Sequence, residues 1–178
     1  MALTSPLFGL EDVKIAPWTS TSTWGSAIDL LGAQVFNISV ETVNGRLEGD
    51  DIIVAAHSKI IAVEARVRFA FNDLDVLNTF AGITSVGNTS YKRITLGNEN
   101  MPYFGIAGRI LDIAEGGDMH LFVPKAKLME GFEIGGSFGE FTTPEITVLG
   151  VWDSAIYEAL TAIKHNVLTT VAIPITNT

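Results

Sequence analysis

The sequence predicts a mainly β protein, an antiparallel β-sandwich or barrel flanked by one short α-helix. Three observations support this fold class: apolar and polar residues alternate with a period of two, glycines punctuate the alternating stretches, and one segment has helical spacing. The chain has 178 residues, which is close to the usual size of one domain and long enough to bury a core without disulfides or metals. We therefore expect a single domain over residues 1–178.

The clearest strand is predicted over residues 61–71. Its odd positions are all apolar, whereas Glu64, Arg66 and Arg68 occupy even positions, so one face should be buried and the other should meet solvent. Residues 154–164 fit either a helical turn or the entry to a strand, and the sequence leaves that choice open. Further strands are predicted at residues 34–43, 91–96, 103–113, 120–128, 141–149 and 166–173.

One short amphipathic helix is predicted over residues 72–80. Leu74, Leu77 and Phe80 recur at a spacing of three, and Gly82 follows at the position where a left-handed C-cap is common. The three apolar residues are expected to pack the helix against the sheet and to have no functional role beyond stability.

Composition and charge exclude several functional classes. The chain is 47% hydrophobic and 17% charged, which excludes a disordered chain and suggests buried contacts between subunits. Twenty Asp and Glu against eleven Lys and Arg give a net charge of −9, the wrong sign for a protein that holds nucleic acid by its phosphates. Without cysteine, there can be no disulfides, iron–sulfur sites or thiol nucleophiles.

The sequence shows no targeting or membrane signal. Its first residues lack a basic segment followed by an apolar one, and no apolar run approaches the roughly 18 to 20 residues of a transmembrane helix. We therefore expect a soluble chain that is not exported by the usual route and does not insert into a membrane.

One pattern matches a catalytic motif. Residues 135–139 read Gly-Gly-Ser-Phe-Gly, which satisfies G-x-S-x-G, and Asp153 and His165 follow in the order of an α/β-hydrolase triad. A nucleophile elbow needs a strand before the serine and a helix after it, whereas residues 141–144 continue as extended chain. A small serine hydrolase using Ser137, Asp153 and His165 is therefore the weaker alternative to a glycine-rich turn.

Metal and cofactor motifs are missing. His57, His120 and His165 lie far apart without metal-ligand spacing, so a metal site would have to be assembled by tertiary contacts alone. The acidic run at residues 48–51 lacks the register of a calcium loop, and no glycine-rich nucleotide motif occurs. We predict no catalytic residue, no cofactor and no metal, and hence a protein that is not an enzyme.

Several segments are informative through their order. The first half contains an acidic turn at residues 48–54, a strand that runs directly into a helix at residues 72–77, and a glycine at position 82. The second half contains paired strands and a closing segment, at residues 103–108, 122–128, 139–145 and 152–153. Over about residues 31–152, this order resembles the major tail tube protein of long-tailed bacteriophages, whose fold bacterial secretion tube proteins share.

The resemblance implies a structural virion protein. Subunits would form hexameric rings with one continuous inner barrel, and the rings would stack into the hollow tail tube through which phage DNA is delivered to the host without specific binding. Implied partners are further copies of the chain and the tape measure, terminator and distal tail proteins; the chain would be made in the host cytoplasm and reside in the virion. Another ring-forming tail component and a secretion-type tube protein are alternatives, because fold does not settle function.

The resemblance also suggests roles for particular segments. Residues 1–25 match only as an extended N-terminal arm. Residues 44–58 would form a loop or hairpin that docks on the adjacent ring, because a polar tip precedes an apolar surface. The residues expected at that inter-ring contact are Arg46, Glu48, Asp50, Asp51, Ile52 and Ile53.

Polar positions of the strand over residues 34–43 are expected to line the lumen. These positions are Asn37, Ser39 and Glu41. A net acidic wall would repel phosphates rather than trap them. Arg66 and Arg68 run against this pattern, and we expect them to pair with Glu64 or with neighbouring subunits.

Overall fold

The protein is described by a computed structural model that covers residues 7–20, 23–49, 52–70, 74–83, 86–88, 90–95, 97, 100–112, 117–135, 137–152 and 159–165. It is mainly β with one short helix, as the sequence predicts. The elements in chain order are β1 Leu7–Ser20, β2 Thr23–Trp24, β3 Ile28–Asp29, β4 Val35–Gly49, β5 Ile52–Arg68, α1 Asp75–Ala81, β6 Val86–Gly87, β7 Lys92–Arg93, β8 Phe104–Asp112, β9 Asp118–Leu128, β10 Glu145–Gly150 and β11 Thr161–His165.

A large antiparallel sheet contains nine of these strands. Its main order is β2-β1-β8-β9-β10-β5-β4, while β3 also pairs with β1 and β11 also pairs with β9. Strands β6 and β7 form a separate two-stranded ribbon. Among the described residues, no helix combines the length and the apolar character needed to cross a bilayer.

The sheet curls until its distant strands meet. Phe36 of β4 lies against Gly108 of β8, although these strands are not neighbours in the sheet, and a side chain at position 108 would overlap the Phe36 ring. Before the chain enters β4, Leu30 N–H donates to the Val13 carbonyl of β1 at 2.8 Å. One continuous core therefore fills the space inside the curled sheet, with contributions from β1, β4, β5, β8, β9, β10 and α1.

Strand β5 confirms the predicted alternation over most of its buried part. The odd positions from Val63 to Phe69 are buried, while Arg66 and Arg68 are exposed. Ile61 differs from the expectation, because it is 52% exposed although it occupies an odd position like the buried residues. Phe71 lies outside the described residues.

Helix α1 lies largely within the segment predicted for it. Leu77 and Phe80 are buried, and Leu74 is half-buried immediately before the first turn. Gly82 adopts φ +68° and its backbone N–H closes the last turn by donating to the Asn78 carbonyl. The Phe80 ring packs edge-on against a core aromatic of β8, so the helix covers one opening of the curled sheet.

Residues 7–20 differ most from the sequence-based expectation. Instead of an extended arm they form β1, which pairs with β8 along most of its length, and Val13 and Ile15 are fully buried. Register shifts between Leu7 and Asp12 and a proline at position 17 interrupt the alternation, so the sequence pattern for this strand is too short to predict it.

Other predicted strands are shorter than expected. The strand predicted over residues 91–96 reduces to β7, and β10 begins only at Glu145, because Pro144 has no N–H to donate to a ladder. Within the undecided segment 154–164, the structure shows strand β11 from Thr161 onwards. The strand predicted over residues 166–173 lies outside the described residues.

Candidate assembly surface

Strands β4 and β5 form a long hairpin that leaves the body of the protein. They pair from Val35–Arg68 at the base to Gly49–Ile52 at the far end. From the Thr42–Ile60 pair outwards, every residue whose side chain is described is exposed. We call residues 42–49 and 52–60 the hairpin extension; at the usual rise of a strand it is about 23 Å long.

Two irregularities mark the hairpin extension. The register shifts between Glu41 and Thr42, where β4 leaves the core, and again between Leu47 and Glu48 near the far end. Such bulges bend a ribbon and increase its twist. An isolated two-stranded ribbon is only marginally stable in water, so contact with another protein surface would stabilise the hairpin extension.

The residues predicted for the inter-ring contact belong to this extension. Arg46 is exposed and its Cα partner is Ala56. Glu48, Ile52 and Ile53 lie in the paired backbone at the far end. Asp50 and Asp51 lie outside the described residues, and the contact of all six with another ring stays a prediction.

Exposed apolar side chains cluster where the extension meets the body. We call this cluster the apolar patch; its members are Val40, Ile60, Ile61 and Trp152, with exposed fractions between 44% and 60%. With Ala159 and Leu160, they line an open groove of about 740 Å³. Apolar side chains gathered in a groove mark interaction sites on soluble proteins.

The apolar patch has a simple structural cause. Val40 pairs with Val63, so Val40 and Ile61 continue the side of the hairpin that faces the core. Strand β10 ends at Gly150, which is the partner of Val63, and therefore supplies no backbone beyond that point to cover the core-facing side. The alternation that builds the core continues for one more step, where no described strand forms a covering layer.

The outer edge of β4 is open in the described part of the chain. Strand β4 stands last in the sheet order, with β5 on one side and no strand on the other among the described residues. It runs for 15 residues, which is long for an edge strand. A long open edge is a template for pairing with another chain, and monomeric proteins usually protect it.

The residues predicted to line a lumen share one face of β4. Asn37, Ser39 and Glu41 are all exposed on the side opposite the core. Their orientation toward a lumen stays a prediction, because it depends on how subunits assemble.

The two arginines on the same face are paired within the chain. Arg68 Nη2 donates to Glu145 Oε2 at 2.6 Å, and Arg66 Nε lies 3.2 Å from Glu145 Oε1. Glu145 on the neighbouring strand thus holds both, a partner that the sequence analysis did not consider. With Glu41 and Glu64 included, three carboxylates share this face with two guanidiniums and with Lys127, which is aligned with Glu64 through Leu149, so these six charges sum to zero.

The candidate hydrolase residues lack the context that the motif requires. Ser137 is exposed in the connection between β9 and β10, and the described residues beside it form neither a strand before it nor a helix after it. His165 ends β11, at the far side of β9 from β8. Asp153 lies outside the described residues.

The structure brings together two histidines that lie 45 positions apart in the sequence. His120 of β9 and His165 of β11 have ring centroids 5.0 Å apart, and Asp118 lies beside both. The sequence signal was faint: an Asp-x-His pair places two side chains on one face of a strand, but the cross-strand partner is visible only once β11 is known. This cluster is taken up below.

No family model matches the sequence, and no curated protein matches it significantly.

Proposed function

We propose that the protein is a structural virion protein whose copies form hexameric rings that stack into a hollow tail tube for DNA delivery. The observation that supports this most is the coincidence, on one hairpin, of an open strand edge, an apolar patch and an extension without a core. All three are features that a neighbouring copy would cover.

Edge pairing would build the ring. If the open edge of β4 pairs with a strand of the next subunit, each sheet continues into its neighbour and the unsatisfied backbone groups find partners. Such a contact joins one surface of a subunit to a different surface of the next subunit. A heterologous contact of this kind forms a closed ring when the rotation between neighbouring subunits is a whole fraction of a full turn. The apolar patch lies beside that edge and would be buried in the same contact.

Stacking would use the hairpin extension. Its length of about 23 Å is enough to reach beyond the body of one subunit, and its far end carries the residues predicted to touch the next ring. The proposal places the protein in the virion. Its further partners would be the other tail proteins at the ends of the tube.

The charge of the chain fits passage of DNA without binding. Each chain carries −9, so a ring of six carries −54, and only the part facing the lumen acts on DNA within the roughly 8 to 10 Å that salt leaves unscreened. Glu145 pairs with both Arg66 and Arg68 and offsets one of their two positive charges on this face.

Electron microscopy of the concentrated, negatively stained protein tests assembly directly. We expect tubes; a population of single rings that never stack would favour another ring-forming tail component, and monomers at every concentration would contradict the proposal.

A matched pair of variants tests the apolar patch. Ile60 is 60% exposed within the patch, and Val86 is 62% exposed on β6, outside it. We expect Ile60→Glu to abolish assembly and Val86→Glu to preserve it, with both chains folded because neither residue is in the core. Equal assembly by both variants would remove the patch from the interface.

The lumen assignment is tested with Glu41→Lys. This change adds +2 per chain and +12 per hexamer, which would convert a repelling zone into one that attracts phosphates. We expect particles with tails of normal length that eject DNA slowly and in a salt-dependent way. Normal ejection would remove Glu41 from the lumen, and failure to polymerise would place it at a subunit contact.

A further inference from the structure

Asp118, His120 and His165 form a compact cluster of metal-ligating side chains. Asp118 and His120 occupy alternate positions of β9 and so point to the same face, while His165 is the direct cross-strand partner of Asp118 on β11. One ligand atom from each lies within 4.8 Å of the other two, and His120 Nε2 lies 3.2 Å from Asp118 Oδ2.

We propose that this cluster binds one divalent transition metal ion, with Zn²⁺ the best match. Two imidazole nitrogens and one carboxylate oxygen are the ligand types that Zn²⁺ and its neighbours in the first row accept, whereas Ca²⁺ and Mg²⁺ prefer oxygen alone. Zinc–ligand bonds of about 2.0 to 2.2 Å place tetrahedral ligand atoms about 3.4 Å apart. The pair of Asp118 and His120 is close to that spacing at 3.2 Å, and a ligand nitrogen of His165 lies within 4.8 Å of both.

Burial favours a metal over a bare histidine pair. Asp118 is fully buried and His120 is 3% exposed, while His165 is half-buried and leaves a route from solvent. Metal ligands held in a dry, packed environment lose little conformational freedom on binding. Three protein ligands leave a further coordination position for water or for another group.

The surrounding charges also suit a cation. Arg109 Nη1 lies 3.9 Å from Asp118 Oδ2, within ion-pair distance but beyond the length of a hydrogen bond. The same guanidinium is paired with Glu11, whose Oε2 lies 2.7 Å from Arg109 Nη2, so its positive charge is offset. With neutral histidines, the two carboxylates and one guanidinium leave a net charge of −1 to meet the divalent ion.

The location gives the metal a structural consequence. Strand β11 pairs only with β9 among the described strands, through five residue pairs at the edge of the sheet. A metal bound by both strands would tie β11 to the body of the protein. This inference concerns a single chain and does not depend on the proposed assembly.

Binding of the metal alone tests the proposal. The purified full chain, stripped with a chelator, is titrated with Zn²⁺ by calorimetry and with Co²⁺ by visible absorption. We expect one saturable site per chain, a rise in melting temperature on adding Zn²⁺, and ligand-field bands of low-coordinate Co²⁺ that Zn²⁺ displaces. A wild-type chain with no saturable site contradicts the proposal whatever the variants do.

Two histidine variants locate the site. His165→Ala removes a half-buried ligand, and we expect Zn²⁺ affinity to fall by at least about a hundredfold, since even indirect support of a ligand is worth 10 to 100-fold. His57→Ala is the matched control, because His57 is exposed on the hairpin extension, and it should bind like the wild type. Equal affinity in wild type and His165→Ala, or loss of binding in His57→Ala, would overturn the assignment. Because tube formation is measured separately, failure here leaves the proposed assembly intact.

Discussion

Strands β4 and β5 run through both the body of the sheet and the hairpin extension, but the two regions have opposite surroundings. In the body, strand β8 is covered on both faces: Ile106 lies in the main core, while Ala107 packs under Trp24 with Phe122 on the outer face. In the extension, described residues on both faces are exposed. Strand pairing therefore does not by itself determine what covers a strand.

The difference has an identifiable origin in the outer layer of the body. The chain returns after β1 to place Trp24 over β8 and β9, where its indole Nε1–H donates to the Pro124 carbonyl at 2.8 Å. Gly105 makes room for that ring, since a Cβ there would lie 2.6 Å from Trp24 Nε1. No described segment returns over the extension in this way, and a second copy of the chain is the covering layer that we propose.

The largest expected effect is on assembly. Removal of residues 46–51 deletes the polar tip of the extension but no residue of the core, so the chain should still fold with an unchanged melting temperature. Tube growth, followed by light scattering and microscopy, should stop completely. Long tubes formed by the deletion variant would show that the extension does not join rings.

Truncation of an apolar side chain should have very different effects in the two regions. Leu77 is 3% exposed in α1, and Leu77→Ala should lower the free energy of unfolding by about 2 to 5 kcal/mol. Val43 is 54% exposed in the extension, and Val43→Ala should change it by less than about 0.5 kcal/mol in the unassembled chain. Denaturant titrations of both variants measure the contrast, and a large effect of Val43→Ala would mean that the extension folds back on its own body.

Two glycines test the same contrast between the body of the sheet and the hairpin extension. A methyl group at Gly108 would overlap the Phe36 ring, so Gly108→Ala should destabilise the fold by about 1 to 3 kcal/mol. Gly45 in the extension has nothing within 4 Å of an added Cβ, so Gly45→Ala should be neutral or stabilise by up to about 1 kcal/mol. Thermal unfolding of the two variants, measured below the concentration for assembly, separates these outcomes.

The sequence predicted the elements with long, uninterrupted patterns. The alternation of Val63 to Phe69 and the spacing of Leu77 and Phe80 correspond to a buried strand face and a buried helix face, because the strand pattern repeats over several residues and the helix pattern ends at a glycine C-cap. Strand β1 was missed, since the register shifts between Leu7 and Asp12 and the proline at position 17 leave only a short alternating stretch around Val13 and Ile15.

The candidate sites were harder to predict because they depend on distant pairings. Glu145 contacts Arg66 and Arg68 because β10 is aligned with β5. His165 lies beside Asp118 because β11 pairs with β9. Single residues carry too little local signal to specify such contacts. The open edge of β4 is likewise a property of the whole sheet order.

The smallest expected effect concerns a cluster of charges on the body, at the pairing of β3 with β1. Withdrawal of the carboxylate from water raises the pKa of Asp29 above its usual value near 3.8; a side-chain hydrogen bond with Asp12 and repulsion from Asp12 raise it further, and Lys14 acts in the opposite direction. Because the folded state binds this proton more tightly than the unfolded state, the contribution of Asp29 to stability is fully present below pH 3.8 and is lost as pH rises through the folded-state pKa.

Asp29→Asn should therefore stabilise the protein at pH 7, by about a few tenths of a kcal/mol as is usual for a surface position, and should give no gain below pH 3.8. Chemical unfolding of both chains across this pH range measures the difference. The gain at pH 7 should shrink when the substitution is made in an Asp12→Asn background, because one source of the raised pKa is then gone. A gain that is equally large at low pH would show that the effect of the substitution does not come from ionisation of Asp29.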